Sequence, residues 1–367
     1  MYFVKLFAKI FAYCTLPIFI MAQLLSSIFL KNYKKPIYRL KCKYSLIDLN
    51  KGKTEILKIE KQNKQAGNSN QLSNNSKESE NNQEEDVKIV MFSGNPGYIR
   101  FYDRFLYELS NQLENKFDIY GIGHLGQFNY QNKPIHNDFS LTDQIDQKVE
   151  FMNYLFSKYP KSRFILISHS IGSYAVLNML DRIPSEKIVF SYKLYPVIER
   201  IKETPNGIHK AKLPYFPYIY LASFAVGFFS YLPMSLKRVI SKIYLESELG
   251  NVKEDVSDMA EIFATYATYS NFYSMLYMTK TEYQMLNQRQ AKLLDKFSQK
   301  MMLYYGIDDA WCPIQYYKDI RIDMPHLNAK LDEKGFLHAF VIGGSTLKSE
   351  LISGWIKQKL DEIDYEY

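Results

Sequence analysis

Residues 163–178 read RFILISHSIGSYAVLN. A short apolar run at 164–167 stops at Ser168-His169-Ser170-Ile171-Gly172, and helix-forming residues follow at once. A brief, wholly apolar run bounded by a turn is the pattern of a buried strand, and the pattern after it predicts a helix from about 173 to 180. The serine between them is either a nucleophile on a strained turn or part of a tight strand-to-helix connection. A nucleophile elbow requires small residues two before and two after the serine, because neighbouring backbones crowd the turn. Ser168 and Gly172 meet that requirement, although glycine is the usual first residue.

On either side of this stretch, strand-like runs at 87–92, 117–121, 188–194, 301–305 and 338–342 alternate with helical patterns at 101–113, 141–158 and 346–361. Such alternation predicts an α/β fold, a mostly parallel sheet with helices on both faces. Residues 37–59, with Asn50-Lys51-Gly52 at their centre, predict a β-hairpin at the sheet's start. Residues 60–86 are almost all polar and cannot bury enough apolar area to offset the entropy of ordering, so a disordered loop is expected. The first part of the core then covers 87–200 and the second 297–367, with an insertion at 201–296 between them.

Two apolar stretches point to lipid. Residues 10–30 carry no charge and are long enough to span a bilayer, with Pro17 near their middle. No clean small-x-small cleavage site follows, so residues 1–36 are read as a retained anchor rather than a cleaved signal peptide. Lys31, Lys34, Lys35, Arg39, Lys41 and Lys43, with no acid among them, suit an anionic membrane surface and place the remainder in the cytosol if the segment spans. Residues 213–236, LPYFPYIYLASFAVGFFSYLPMSL, also carry no charge. A span there would put the two halves of the sheet on opposite sides of a membrane. A hairpin or interfacial helix entering one leaflet is therefore expected, in preference to a buried cap helix.

The net charge of +7 is modest, and no nucleic-acid motif accompanies it. The cysteines, Cys14, Cys42 and Cys312, are odd in number and widely spaced. They form no metal pattern and fit a reducing compartment. No cofactor is called for.

If Ser170 is a nucleophile, an acid and then a histidine should follow late strands. Asp308 and Asp309 both follow the run at 301–305, and His338 lies about thirty residues on. His124, His136 and His209 come too early, His326 sits in what reads as a surface loop, and His169 is expected to face away. Backbone N–H groups of Ile171 and of the Ser93-Gly94-Asn95-Pro96-Gly97 loop would form an oxyanion hole. Pro96 has no N–H, and Asn95 is better placed than Gly97.

Ser93–Gly97 followed by Phe101, Tyr102 and Phe105, together with His169–Tyr174, resembles the lipid droplet-associated hydrolase family. Further matching blocks are 194–200, 204–207, 304–313 and 338–340, and the likeness covers about 87–343. The resemblance implies an α/β-hydrolase fold, attachment to lipid droplets and the endoplasmic reticulum membrane, and a serine-hydrolase triad of Ser170, Asp309 and His338. It selects Asp309 over Asp308, since the family's acid lies three residues after the glycine. Sterol esterase activity is what the family implies, with a neutral-lipid ester as substrate. The competing expectation is a catalytically weak protein that keeps the fold to bind or organise lipid. Epoxide opening is disfavoured, because it calls for a carboxylate at position 170.

Overall fold

The structure, a computed structural model, describes residues 38–62, 86–129, 138–249 and 255–365. The expected anchor at 1–36 and all but the ends of the polar loop at 60–86 lie outside them. The strands are β1 (Lys43–Leu49), β2 (Gly52–Ile59), β3 (Val87–Phe92), β4 (Ile119–Ile122), β5 (Arg163–His169), β6 (Ile188–Leu194), β7 (Met301–Gly306) and β8 (Asn328–Asp332). They form one sheet in the order β1-β2-β4-β3-β5-β6-β7-β8. The hairpin β1–β2 joins β4 antiparallel, and every pairing from β4 to β8 is parallel. β3 and β7 are buried along their whole length. That is why these strands read as continuous apolar runs rather than alternating ones.

The longer helices among the described residues are α1 (Asp103–Gln112), α2 (Leu141–Lys158), α3 (Gly172–Leu180), α4 (Tyr218–Ser230), α5 (Met234–Leu249), α6 (Ser257–Tyr266), α7 (Tyr269–Met285), α8 (Ile314–Asp323) and α9 (Ser345–Asp361). α1 packs on α9 and α2 on α3, covering the sheet, while α4 packs on α7 and α5 on α6 within the insertion. α2 starts where the sequence predicts because Ser140 and Asp143 form a reciprocal cap. The Asp143 amide donates to Ser140 Oγ (3.2 Å) and the Ser140 amide to the Asp143 carboxylate (2.9 Å).

Register brings the carboxyl ends of the central strands level: Phe92 lies opposite Ser168, and Ser168 opposite Lys193. Loops leaving β3, β5 and β6 therefore meet at one edge, where open α/β sheets place their sites.

One strand expectation needs correction. Residues 338–342 form turns, not a strand, and the last strand is β8. β8 carries the sequence NAKLD at the sheet edge, so it has no apolar run to betray it. Phe340 is instead the buried anchor of a loop, packed edge-on against Phe105 and His169 at 5.2 and 5.1 Å between ring centroids.

The segment at 213–236 includes α4 and the start of α5, and α4 keeps much of its apolar surface exposed. Ile219, Ser223 and Gly227 are the inward positions of α4, one turn apart, while Leu221, Phe224 and Phe228 are more than 60% exposed. Two of the three inward groups are small while large apolar ones face out, so the apolar stripe of a soluble amphipathic helix is not confined to the buried side. No described helix is long and apolar enough to cross a membrane. Part of the basic cluster is also paired within the chain: the part-buried Arg39 meets Glu261 at 3.1 Å, and the exposed Lys43 meets Glu60 at the surface.

Candidate active site

Ser170 sits at the tip of β5 with φ of +54°, a left-handed backbone that a serine rarely adopts. Its surroundings hold it there. The Ser170 amide donates to the Leu194 carbonyl (3.0 Å), and its own carbonyl accepts from the amides of Ser173 (2.9 Å) and Val197 (3.2 Å). Strain of this kind persists only where neighbours over-determine it. Gly172 is required by the same crowding, since a Cβ there would lie 2.5 Å from the Ser93 carbonyl oxygen. Ser168, the departure from the usual glycine, is buried with its hydroxyl 3.3 Å from Ser173 Oγ and 3.4 Å from the Tyr192 carbonyl. The elbow thus accommodates a serine without an orphaned polar atom.

His338 arrives from the loop between β8 and α9. Ser170 Oγ lies 2.9 Å from His338 Nε2, and His338 Nδ1 lies 2.6 Å from the Asp309 carboxylate. Asp309 is buried, and also accepts from the amides of Trp311 (2.7 Å) and Cys312 (3.0 Å) and from the Cys312 thiol (3.0 Å). Burial pushes its pKa up, but the facing His338 and the Cys312 donors more than offset that and hold it at about 2. It is therefore a fixed anion that orients the imidazole. Asp308, its neighbour, is exposed and points to no part of this chain of bonds. The sequence gives no cue to the extra donors from the Ala310-Trp311-Cys312 turn beyond their adjacency to the acid.

Asp309, Cys312 and His338 bring a carboxylate, a thiol and an imidazole within 4.8 Å of one another. A metal there would need a thiolate. Burial and the adjacent Asp309 push the Cys312 thiol's pKa well up instead, and its proton is used on that carboxylate.

Asn95 follows Gly94, which backs directly onto the elbow: a Cβ on Gly94 would lie 3.0 Å from Ser170 Cβ. The Asn95 side chain turns the other way. Its amide reaches the Met275 carbonyl (3.1 Å), Thr279 Oγ1 (3.0 Å) and Glu282 Oε1 (2.9 Å), all on α7. Ile171, the other oxyanion candidate, is buried at the start of α3. The expectation that His169 faces away is wrong. Its ring lies beneath the site, with Nε2 2.8 Å from the His338 carbonyl oxygen and Nδ1 2.7 Å from Tyr102 Oη.

Comparison with known proteins agrees with this architecture. Residues 85–341 match the family model described as lipid-droplet associated hydrolase. The chain is 31% identical to the lipid droplet-associated hydrolase of Rattus norvegicus over 293 residues, 74% of this chain and 85% of that one. It is 29% identical to that of Drosophila melanogaster, covering 74% and 89%, and 27% identical to that of Dictyostelium discoideum, covering 74% and 88%. Among solved structures, the haloalkane dehalogenase DatA of Agrobacterium tumefaciens superimposes with a TM-score of 0.58 at 12% identity, over 87% of this chain and 97% of that one. The Cif epoxide hydrolase of Acinetobacter nosocomialis gives 0.57 at 14%, over 92% and 96%. These likenesses show the α/β-hydrolase fold, and the family match goes further: the chain belongs to the lipid droplet-associated hydrolase family.

Proposed function

We propose that the chain is a serine esterase that hydrolyses a neutral-lipid carboxylic ester, with sterol esters the leading class, at the surface of a lipid droplet. The observation that carries this reading is the continuous hydrogen-bonded path from Ser170 Oγ through His338 to Asp309. In the reaction His338 Nε2 takes the proton of Ser170 Oγ as that oxygen attacks the ester carbonyl. Asp309 stabilises the imidazolium and keeps the proton on Nδ1. The amides of Ile171 and Asn95 receive the oxyanion. His338 then protonates the leaving alkoxide, and water activated by the same imidazole releases the acid from the serine.

The outer face of the insertion supports this location. Phe216, Leu221, Phe224, Phe228 and Tyr231 are all exposed, with Tyr231 at 88%. Large apolar side chains exposed together are unfavourable in water and favourable in an acyl layer. α4 has 13 residues, about 20 Å of helix, which suits lying in one leaflet rather than crossing it. The proposed residence is the lipid droplet and the endoplasmic reticulum membrane, with the hydrolase domain facing the cytosol.

The test is turnover. Purified protein is given an emulsified cholesteryl ester and a soluble short-chain ester, beside Ser170→Ala. Acid release by the wild type and none by the variant supports the reading. Binding to the emulsion with no release of either acid favours the lipid-organising role.

A further inference from the structure

His169 stands one residue before the proposed nucleophile and touches neither substrate side nor acid, yet it is not an idle core residue. Only 5% of it is exposed, and both ring nitrogens are engaged. The His338 carbonyl can only accept, so His169 Nε2 must carry a proton and donate it across 2.8 Å. In a neutral ring Nδ1 is then an acceptor, and the Tyr102 hydroxyl at 2.7 Å donates to it. With its proton so used, Tyr102 Oη accepts from the Gly94 amide at 2.9 Å. The bonds run one way, from the Gly94 N–H through Tyr102 and His169 to the His338 backbone.

Each link belongs to a different part of the site. Gly94 leads the oxyanion loop, His169 ends β5, and His338 lies in a stretch with no strand pairing to hold it. Asp309 fixes the His338 ring, but nothing in that bond fixes the height of its backbone. We infer that His169, set in one tautomer by Tyr102, is a positioning residue that holds the His338 backbone at the distance from which its imidazole reaches Ser170 Oγ. The ring is itself packed edge-on against Phe340 and Tyr195, with centroids 5.1 and 6.2 Å away. Burial, reinforced by repulsion from His338, holds the pKa of His169 down to about 3, so the neutral tautomer persists across the working pH range.

The inference rests on the serine-esterase reading, and the experiment separates the two. Wild type, His169→Phe, His169→Gln and Tyr102→Phe are titrated with a fluorophosphonate probe and assayed on p-nitrophenyl butyrate, with folding checked by thermal melts. Phenylalanine keeps the ring but removes the donor, whereas the glutamine amide replaces the Nε2 donor. His169→Phe is expected to lose about 10- to 100-fold in labelling rate and kcat with KM nearly unchanged, as a displaced base should. His169→Gln should recover most of that loss, and Tyr102→Phe should fall between them. A wild type that does not label overturns the esterase reading itself. A labelling wild type with a folded His169→Phe at the same rate, or His169→Gln as slow as His169→Phe, overturns this inference alone. Should His169→Phe fail to fold, Tyr102→Phe decides: full wild-type rate in that variant overturns it.

Discussion

Asn95 bridges the loop after β3 to the insertion by placing its side-chain amide 2.9 Å from the Glu282 carboxyl on α7. The opposite face of α7, through Tyr269 and Tyr273, packs against Phe224 and Tyr220 of α4. One helix therefore lies between the apolar outer face and the loop beside Ser170. Glu282 is 4% exposed, and burial raises its pKa from 4.5 to about 8 despite the Asn95 hydrogen bond.

That shift has a defined sign. Between about pH 4.5 and 8 the folded state keeps the Glu282 proton while the unfolded chain loses it. The folded state thus binds more protons, and stability falls as pH rises through this window, by up to about 1.4 kcal/mol per pH unit. Glu282→Gln keeps an acceptor for Asn95 and cannot ionise. Its melting temperature should gain on the wild type steadily from pH 5 to pH 8, and parallel melting curves across that range would count against the assignment.

Asp309 and Asp308 are adjacent in sequence but differ in environment. Asp309→Asn should lower kcat/KM on a soluble ester by about 10³- to 10⁴-fold, because the amide no longer enforces the His338 tautomer. Asp308→Asn, at an exposed position, should change it less than about twofold. Similar losses in both variants would mean that the acid has been misassigned.

Gly172→Ala tests the elbow's packing. The added methyl meets the Ser93 carbonyl oxygen at 2.5 Å and must move β3 or α3. A loss of about 1–3 kcal/mol in urea unfolding is expected. Unchanged stability would show that the turn is looser than its geometry implies.

Leu221, Phe224 and Phe228 lie on the outer face of α4, away from the buried Ile219, Ser223 and Gly227. Changing the three to aspartate should cut co-flotation with artificial droplets by about tenfold or more. Hydrolysis of a soluble ester should stay near wild type. Undiminished flotation would remove the insertion from the account of lipid attachment.

Much of the fold was legible because parallel strands buried on both faces advertise themselves. The runs at 87–92 and 301–305 and the helical pattern at 141–158 needed no tertiary information. β8 was not legible, since an edge strand of NAKLD satisfies half its polar groups with solvent and carries no apolar signature. The stretch at 338–342 misled for the opposite reason: Phe340 is apolar to anchor a loop, not to pair in a sheet. At the site, residue types in chain order pointed to Ser170, Asp309 and His338, which the fold brings together. The roles of Tyr102, His169 and Glu282 depend on which way a ring or carboxyl turns, and sequence spacing carries no such information.

Whether Ser170 is a nucleophile can be read from the mass of a covalent adduct. Wild type, Ser170→Ala and His338→Ala are each incubated with a fluorophosphonate, and intact mass is followed by peptide mapping. One phosphonyl group is expected on the wild type, mapped to Ser170, with none on Ser170→Ala and a strongly slowed reaction in His338→Ala. An unmodified wild type, under conditions that fully modify a control esterase, or an adduct equally present in Ser170→Ala, would contradict that role for Ser170.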